Sequence, residues 1–287
     1  MPTVRVDDGV NIYYEESGQG LPVVFVHEFA GDYRSWHLQM RFFSRRYRAI
    51  AFNARGYPPS DVPDEVKAYS QERAAEDIRG VLDGLKIQKA HICGLSMGGF
   101  STLHFGLRHP DRALSLVVAG AGYGSVPGER DKFRKDTEVV ARRFEEDGMM
   151  KTAAMYSKGP TRVQFMDKDP FGWREFHAML AEGSAKGHAL TQRGVQMLRP
   201  SILDLGPQLE KLDVPTLIMF SPACESACRA SRRCWPSSTL RTPCSSGICS
   251  NPRSCWPATG VNVKRFSEVM MTAPGMAGRV AASLHSR

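Results

Sequence analysis

Residues 91–100, HICGLSMGGF, set Ser96 between Gly94 and Gly98, directly after a short apolar run. A serine hydroxyl is a weak nucleophile at neutral pH unless a base, usually histidine, takes its proton. The spacing G-x-S-x-G becomes specific when a strand precedes it and a helix follows, because small residues then allow a tight turn whose strained centre pushes the serine outward. Both conditions are met: KAHICGL (89–95) reads as a strand and 97–109 as a helix. The helix that begins at Met97 would aim its free N–H groups and positive end at the same spot. Ser96 is the candidate nucleophile.

The elements around this turn follow a regular rhythm. VRV and VNIYYEE read as two strands joined through Asp8-Gly9, a strong hairpin signal. LPVVFVH (21–27) is a continuous apolar run, as expected for a strand covered on both faces. A helix is expected over 34–46, a strand over 47–53, and a helix over 71–86 capped by Ser70, with apolar residues at 74, 78, 81, 82 and 85. ALSLVVAG (113–120) and VPTLIMF (214–220) read as further strands. Alternation of this kind predicts an α/β fold, a mostly parallel sheet with helices on both faces. Residues 123–200 interrupt it with helical runs and no strand, and are expected to form a helical cap insertion. The core is then 1–122 and 201–220. The insertion carries Met149, Met150, Met155, Met166, Met179 and Met197. Adaptable packing against the sheet is the expectation for them ahead of a dedicated acyl pocket.

The chain of 287 residues has a net charge of +8, but the excess is local. Residues 1–220 hold 29 Lys and Arg against 28 Asp and Glu; residues 221–287 hold 9 against only Glu225 and Glu268. No basic stretch interleaved with stacking aromatics exists, so nucleic-acid binding is not expected. No segment approaches the length of apolar residues that spans a bilayer, and the first residues, MPTVRVDDGVNIYYEESGQG, lack the apolar stretch of a signal peptide. A cytoplasmic protein without a membrane partner is the expectation. Only Cys93 precedes residue 220, whereas Cys224, Cys228, Cys234, Cys244, Cys249 and Cys255 crowd the tail. Their spacing includes no C-x-x-C pair, so no metal site is expected.

Three stretches, VFVHEFAG (24–31), FNARGYPPSD (52–61) and HICGLSMGG (91–99), together resemble the α/β-hydrolase family over roughly residues 1–220. The likeness is to its cofactor-free esterase, enol-lactonase and C–C hydrolase branch. The resemblance implies no cofactor, a small-molecule acyl substrate, and an oxyanion hole whose backbone donors here would be the N–H groups of Phe29 and Met97. Losing one such donor typically costs on the order of 3 kcal/mol of barrier. The family often has His-Gly where this chain has His27-Glu28. A carboxylate aimed at an oxyanion would oppose catalysis, so Glu28 is expected to turn away. Arg55 resembles the family's structural Arg-Gly turn. Relatives that open epoxides or cleave carbon–halogen bonds use aspartate at the nucleophile position, so Ser96 argues against both reactions.

The family's chain order is Ser, then an acid, then His. After VPTLIMF the chain reads SPACES, where a Gly-Asp-like loop belongs. Asp213 precedes that strand, which puts it some 20 Å away at the wrong edge, at ~3.3 Å per residue. Glu225 is the nearby carboxylate, a weak candidate. His27 is expected to brace the oxyanion loop, His104 and His109 to face packing or solvent, and His177 and His188 to lie at the surface of the insertion. His285 stands third from the end, where chains fray. Neither acid nor histidine is identified. Residues 221–260 show neither helical nor strand period, and Pro, Gly and Cys interrupt them throughout. The tail, 221–287, reads as an anomalous Cys-, Ser-, Arg- and Pro-rich segment in which the last strand–helix unit is missing or degraded. A gene read out of frame from about codon 221 accounts for that composition, and a divergent tail is the rival. The alternatives for function are a serine acyl hydrolase of doubtful activity and a hydrolase-fold protein that binds a small acyl ligand without turning it over.

Overall fold

Along the central strands, alternate side chains fall on opposite faces of one sheet, and each face finds its own cover. Val24, Val26, Ile50, Phe52, Ile92, Leu116 and Val118 share one buried cluster with the helix that runs from Gln71 to Gly84. Val23, Phe25, Ala49, Ala51, Cys93 and Val117 lie in another cluster, against Met40 and Phe43. Residues of even and odd number thus separate by face, the period of two that a pleated strand imposes. The computed structural model describes residues 1–219, apart from Pro127 and Thr161.

Among the described residues seven strands form the sheet: β1 (Thr3–Arg5), β2 (Asn11–Ser17), β3 (Pro22–Val26), β4 (Arg48–Phe52), β5 (Ala90–Leu95), β6 (Ala113–Ala119) and β7 (Thr216–Met219). Their order is β1-β2-β4-β3-β5-β6-β7. β1 and β2 run antiparallel, β2 runs antiparallel to β4, and every pairing from β4 to β7 is parallel. The Asp8-Gly9 turn forms as read, with Gly9 at φ 89° and the Val10 amide donating to Asp8 Oδ1 at 3.3 Å. The helices are α1 (His37–Phe43), α2 (Gln71–Gly84), α3 (Met97–Arg108), α4 (Arg130–Tyr156), α5 (Val163–Lys168), α6 (Pro170–Ala181), α7 (Ala185–Thr191) and a single turn, α8 (Gly206–Leu209). Ser70 caps α2, its hydroxyl accepting the Arg73 amide at 3.0 Å. The chain is an α/β protein with a mostly parallel sheet, as its strand–helix rhythm predicts.

The helix expected over 34–46 is shorter and starts later. Asp32 accepts the Arg34 amide at 2.8 Å and winds residues Tyr33–Trp36 into a 3₁₀ turn, so α1 opens only at His37. Between β6 and β7 the described chain is helical, as read. Within α4, Gly148 sits at φ 75°, ψ 176° and breaks the helix in two. The halves fold back on each other, since Thr152 Oγ1 donates to the Arg143 carbonyl at 2.8 Å, nine residues away. A third cluster lies between these helices and the loops after β3, β4 and β5, and contains Phe29, Tyr57, Tyr69, Met97, Phe144, Phe176 and Leu180. Met149 and Met179 pack against it, whereas Met150 points largely into solvent. The segment from 221 onward, with its six cysteines, Glu225 and His285, lies outside the described residues.

Candidate active site

Ser96 stands where β5 ends and α3 begins, at φ 54°, ψ −109°, a conformation that non-glycine residues rarely adopt. Its amide is pinned to the end of the neighbouring strand, donating to the Ala119 carbonyl at 2.7 Å, and its carbonyl accepts the Phe100 amide at 3.0 Å. The turn closes only because its flanks lack side chains. A Cβ on Gly94 would lie 2.1 Å from the Gly98 carbonyl oxygen, and one on Gly98 would lie 2.2 Å from that of Val26. Backbone atoms cannot give way as a flexible side chain can, so both positions require glycine. The same contacts press the first turn of α3 against the end of β3, next to the loop that carries Phe29.

That loop is oriented from beneath by His27. The buried imidazole contacts the Glu28 carbonyl through Nδ1 at 2.7 Å and receives the Ala54 amide on Nε2 at 3.0 Å. An amide can only donate, so Nε2 is the acceptor and Nδ1 carries the proton. Burial pushes the pKa of His27 down, which keeps the ring neutral. In a trans peptide the N–H points opposite the C=O, so anchoring the Glu28 carbonyl on His27 turns the Phe29 N–H to the other side. Tyr57 completes the support: its hydroxyl donates to the Phe29 carbonyl at 2.8 Å and lies 4.0 Å from Met97 Sδ. Among the described residues, neither the Phe29 N–H nor the Met97 N–H donates to any acceptor. Two amides without an acceptor, near a half-buried serine at positive φ, are the kind of donors an oxyanion takes.

Glu28 does turn away from these amides. Its carboxylate pairs with the guanidinium of Arg162, in the helical segment, and both side chains are largely buried, at 12% and 19% exposed. The Arg162 guanidinium also lies 4.8 Å from the Phe176 ring centroid. Arg55, read as a structural turn residue, is buried and bonded to both Asp77 oxygens at 2.7 Å and to Asp8 at 2.7 Å, tying the first hairpin to α2.

Among the described residues no histidine reaches Ser96, whose hydroxyl makes no hydrogen bond. His104 is buried within α3, and burial pushes its pKa down to about 4. His109 meets Glu76 at 2.9 Å, and His177 meets the Ser157 hydroxyl at 3.0 Å. His37 and His91 meet Glu15 at 3.5 Å and the Ser115 hydroxyl at 2.7 Å. His188 corrects an expectation. It is not at the surface of the helical segment but 2% exposed, packed on Phe29, Tyr57 and Phe144 at ring separations of 5.3, 4.6 and 5.1 Å. The cause lies one residue earlier. A Cβ on Gly187 would fall 1.9 Å from the Gly56 carbonyl oxygen, so α7 sits directly on the turn after β4 and drives His188 inward. Its Nδ1 contacts the Ser184 carbonyl at 2.9 Å, and burial pushes its pKa down to about 4. Asp213, exposed and six residues before the end of β7, lies at the opposite sheet edge from Ser96, since Met219 aligns with Ala119 and Ala119 with Leu95.

Comparison with known proteins bears on the fold. Residues 22–148 match the family model of the alpha/beta hydrolase fold. The AB hydrolase superfamily protein YisY of Bacillus subtilis is 29% identical over 224 residues, which cover 75% of this chain and 79% of that protein. The 3-oxoadipate enol-lactonase 1 of Acinetobacter baylyi is 27% identical over 201 residues, covering 70% of each. The crystal structure of the enol-lactonase from Burkholderia xenovorans superposes over 80% of this chain and 87% of its own with a TM-score of 0.65, at 23% identity, a likeness of fold. A strained turn at the end of a parallel strand, a family model matched over residues 22–148 and relatives aligned over most of their length lead to one assignment: this chain has the α/β-hydrolase fold, with hydrolases among the proteins it resembles.

Proposed function

We propose that the protein acts on the acyl carbon of a small ester or lactone, with Ser96 as nucleophile. The observation that carries this reading is the combination of a half-buried serine at positive φ with two amides, those of Phe29 and Met97, that have no partner among the described residues. In this reading Ser96 Oγ bonds to the carbonyl carbon, and the carbonyl oxygen takes up negative charge against the two N–H groups. The acyl C–O bond then breaks, and the released alcohol or enol oxygen (tethered, in a lactone, by the opened ring) takes the proton given up by the serine hydroxyl. Water hydrolyses the acyl-serine bond to a carboxylic acid and the free serine. Residues 1–122 and 201–220 form the core in this reading, and 123–200 form a cap whose Phe144, Phe176 and Leu180 share one buried cluster with Phe29 and Met97. The 3-oxoadipate enol-lactonase relative supports a lactone among the substrates.

A second reading has its own observation. The Ser96 hydroxyl has no base among the described residues, so the same pocket would bind an acyl ligand and turn it over poorly. Removing the base of a triad slows the chemical step by on the order of 10⁴-fold or more, leaving the contributions of oxyanion hole and binding. One experiment separates the two: a fluorophosphonate probe with the full chain, alongside hydrolysis of p-nitrophenyl acetate and a small lactone. Slow labelling that disappears in Ser96→Ala, with turnover barely above background, is the expected result. Rapid stoichiometric labelling of Ser96 would mean that a histidine beyond residue 219 serves it. Labelling that persists in Ser96→Ala would overturn the serine reading.

A further inference from the structure

Glu28 occupies an awkward position. It immediately precedes the Phe29 amide, in a loop that must favour negative charge on a bound substrate, yet it carries a carboxylate. The structure answers that charge from across the molecule: Arg162, 134 residues away and in the helical segment, pairs with it. Arg162 is itself held by aromatic neighbours, 4.8 Å from the Phe176 ring centroid and 6.0 Å from that of Tyr156. The Tyr156 ring in turn packs 5.9 Å from Phe29. Two more ion pairs join the same layers, Arg34–Glu182 at 2.6 Å and Lys186–Asp64, but both involve well-exposed side chains and contribute little. The Glu28–Arg162 pair differs because it is mostly out of water, where an unpaired partner is strongly unfavourable.

We propose that Arg162 is a positioning residue, which ties the helical segment to the β3–α1 loop and neutralises Glu28 so that the Phe29 amide faces an oxyanion without an opposing charge behind it. This rests on the reading of Phe29 as an oxyanion donor. A consequence is that the helical segment must be seated for the loop to be electrostatically competent: lifting it exposes the carboxylate next to the donor. The pair thereby makes closure over the site and assembly of the oxyanion loop a single event.

The test uses the full chain and three variants, Arg162→Met, Glu28→Gln and the double variant. Amide hydrogen exchange is read on peptides spanning residues 27–32, and phosphonylation of Ser96 by a fluorophosphonate is read on the same proteins. Arg162→Met is expected to speed exchange in the loop about tenfold and to slow phosphonylation about tenfold. Adding Glu28→Gln is expected to recover most of the phosphonylation rate while loop exchange stays fast, because the unpaired charge is gone but the tie is not restored. Should Arg162→Met fail to fold, Arg162→Gln, which also removes the charge but keeps a polar side chain, carries the same comparison. Unchanged loop exchange in Arg162→Met overturns the tie. A double variant that labels as slowly as Arg162→Met overturns the charge role, since a purely structural contact is not rescued by removing its second partner. If the parent chain does not label at all, the serine reading fails, and the exchange measurement alone decides for or against the tie.

Discussion

Burial sets the charge of the histidines around the candidate site. His27 bridges the Glu28 carbonyl and the Ala54 amide as a neutral ring, and His188 fills an aromatic niche against Phe29, Tyr57 and Phe144. In the unfolded chain each would take a proton below about pH 6.5, whereas folded His104 and His188 resist protonation down to about pH 4. The unfolded state therefore binds more protons in this window, and stability is present above pH 6.5 and lost as pH falls towards 4. By pH 5 the loss from each of these two histidines is about 2 kcal/mol. The urea midpoint is expected to drop between pH 7.5 and pH 5. His188→Phe, which keeps a ring in the niche, is expected to flatten the slope. A midpoint that holds steady across that range would show that these rings are solvated rather than buried.

At the scale of elements, two glycines separate two kinds of constraint. Gly98, in the first turn of α3, needs its missing Cβ because the Val26 and His27 carbonyl oxygens stand 2.2 and 2.7 Å from where it would be. Gly148, at the break in α4, has nothing within 4 Å of that position, and only its backbone conformation demands glycine. Gly98→Ala must push β3 away from α3, and its loss of stability is expected to exceed that of Gly148→Ala, which stays within about 1–3 kcal/mol of backbone strain. Equilibrium unfolding of both variants measures the difference. Equal losses would mean that the β3–α3 contact yields easily, and with it the geometry that holds Ser96 and Phe29 together. The Gly148 break matters for the same reason, because it lets Phe144 and Ala153, from the two halves of α4, enter one buried cluster over the site.

For the molecule as a whole, the open matter is what completes Ser96. The described residues supply the sheet through β7, the strained turn and the free amides, and the histidines among them are engaged or packed elsewhere. We propose that the missing partners are written in the gene beyond codon 220 and read out of frame. A frame slip removes every later partner at once, whereas a point change would remove one and leave the pattern of the tail intact. Translating the source DNA in its other two frames from about codon 221 is expected to yield, in order, a Gly-Asp-like loop, an amphipathic helix, an apolar strand and a Gly-His loop. Two alternative frames without an acid followed by a strand and a histidine would dismiss the slip.

The amino-acid sequence alone determined the fold class, the hairpin at Asp8-Gly9, the Ser70 cap and the turn at Ser96. Each is a local matter of period, turn chemistry or small residues, decided within a few positions of chain. It also carried the expectation that Glu28 turns from the Phe29 amide, which a carboxylate would oppose as a donor to an oxyanion. What Glu28 turns towards was decided only by tertiary structure, since Arg162 is 134 residues distant and nothing in its neighbourhood of chain marks it. The same holds for Tyr57 under Phe29 and for His188, whose burial follows from the contact of Gly187 with Gly56 rather than from its own helix. A helical period tells which face of α7 is apolar, not what that face meets. Packing between the helices and the loops of the sheet places the supporting residues of the site, and packing is a property of pairs far apart in the chain.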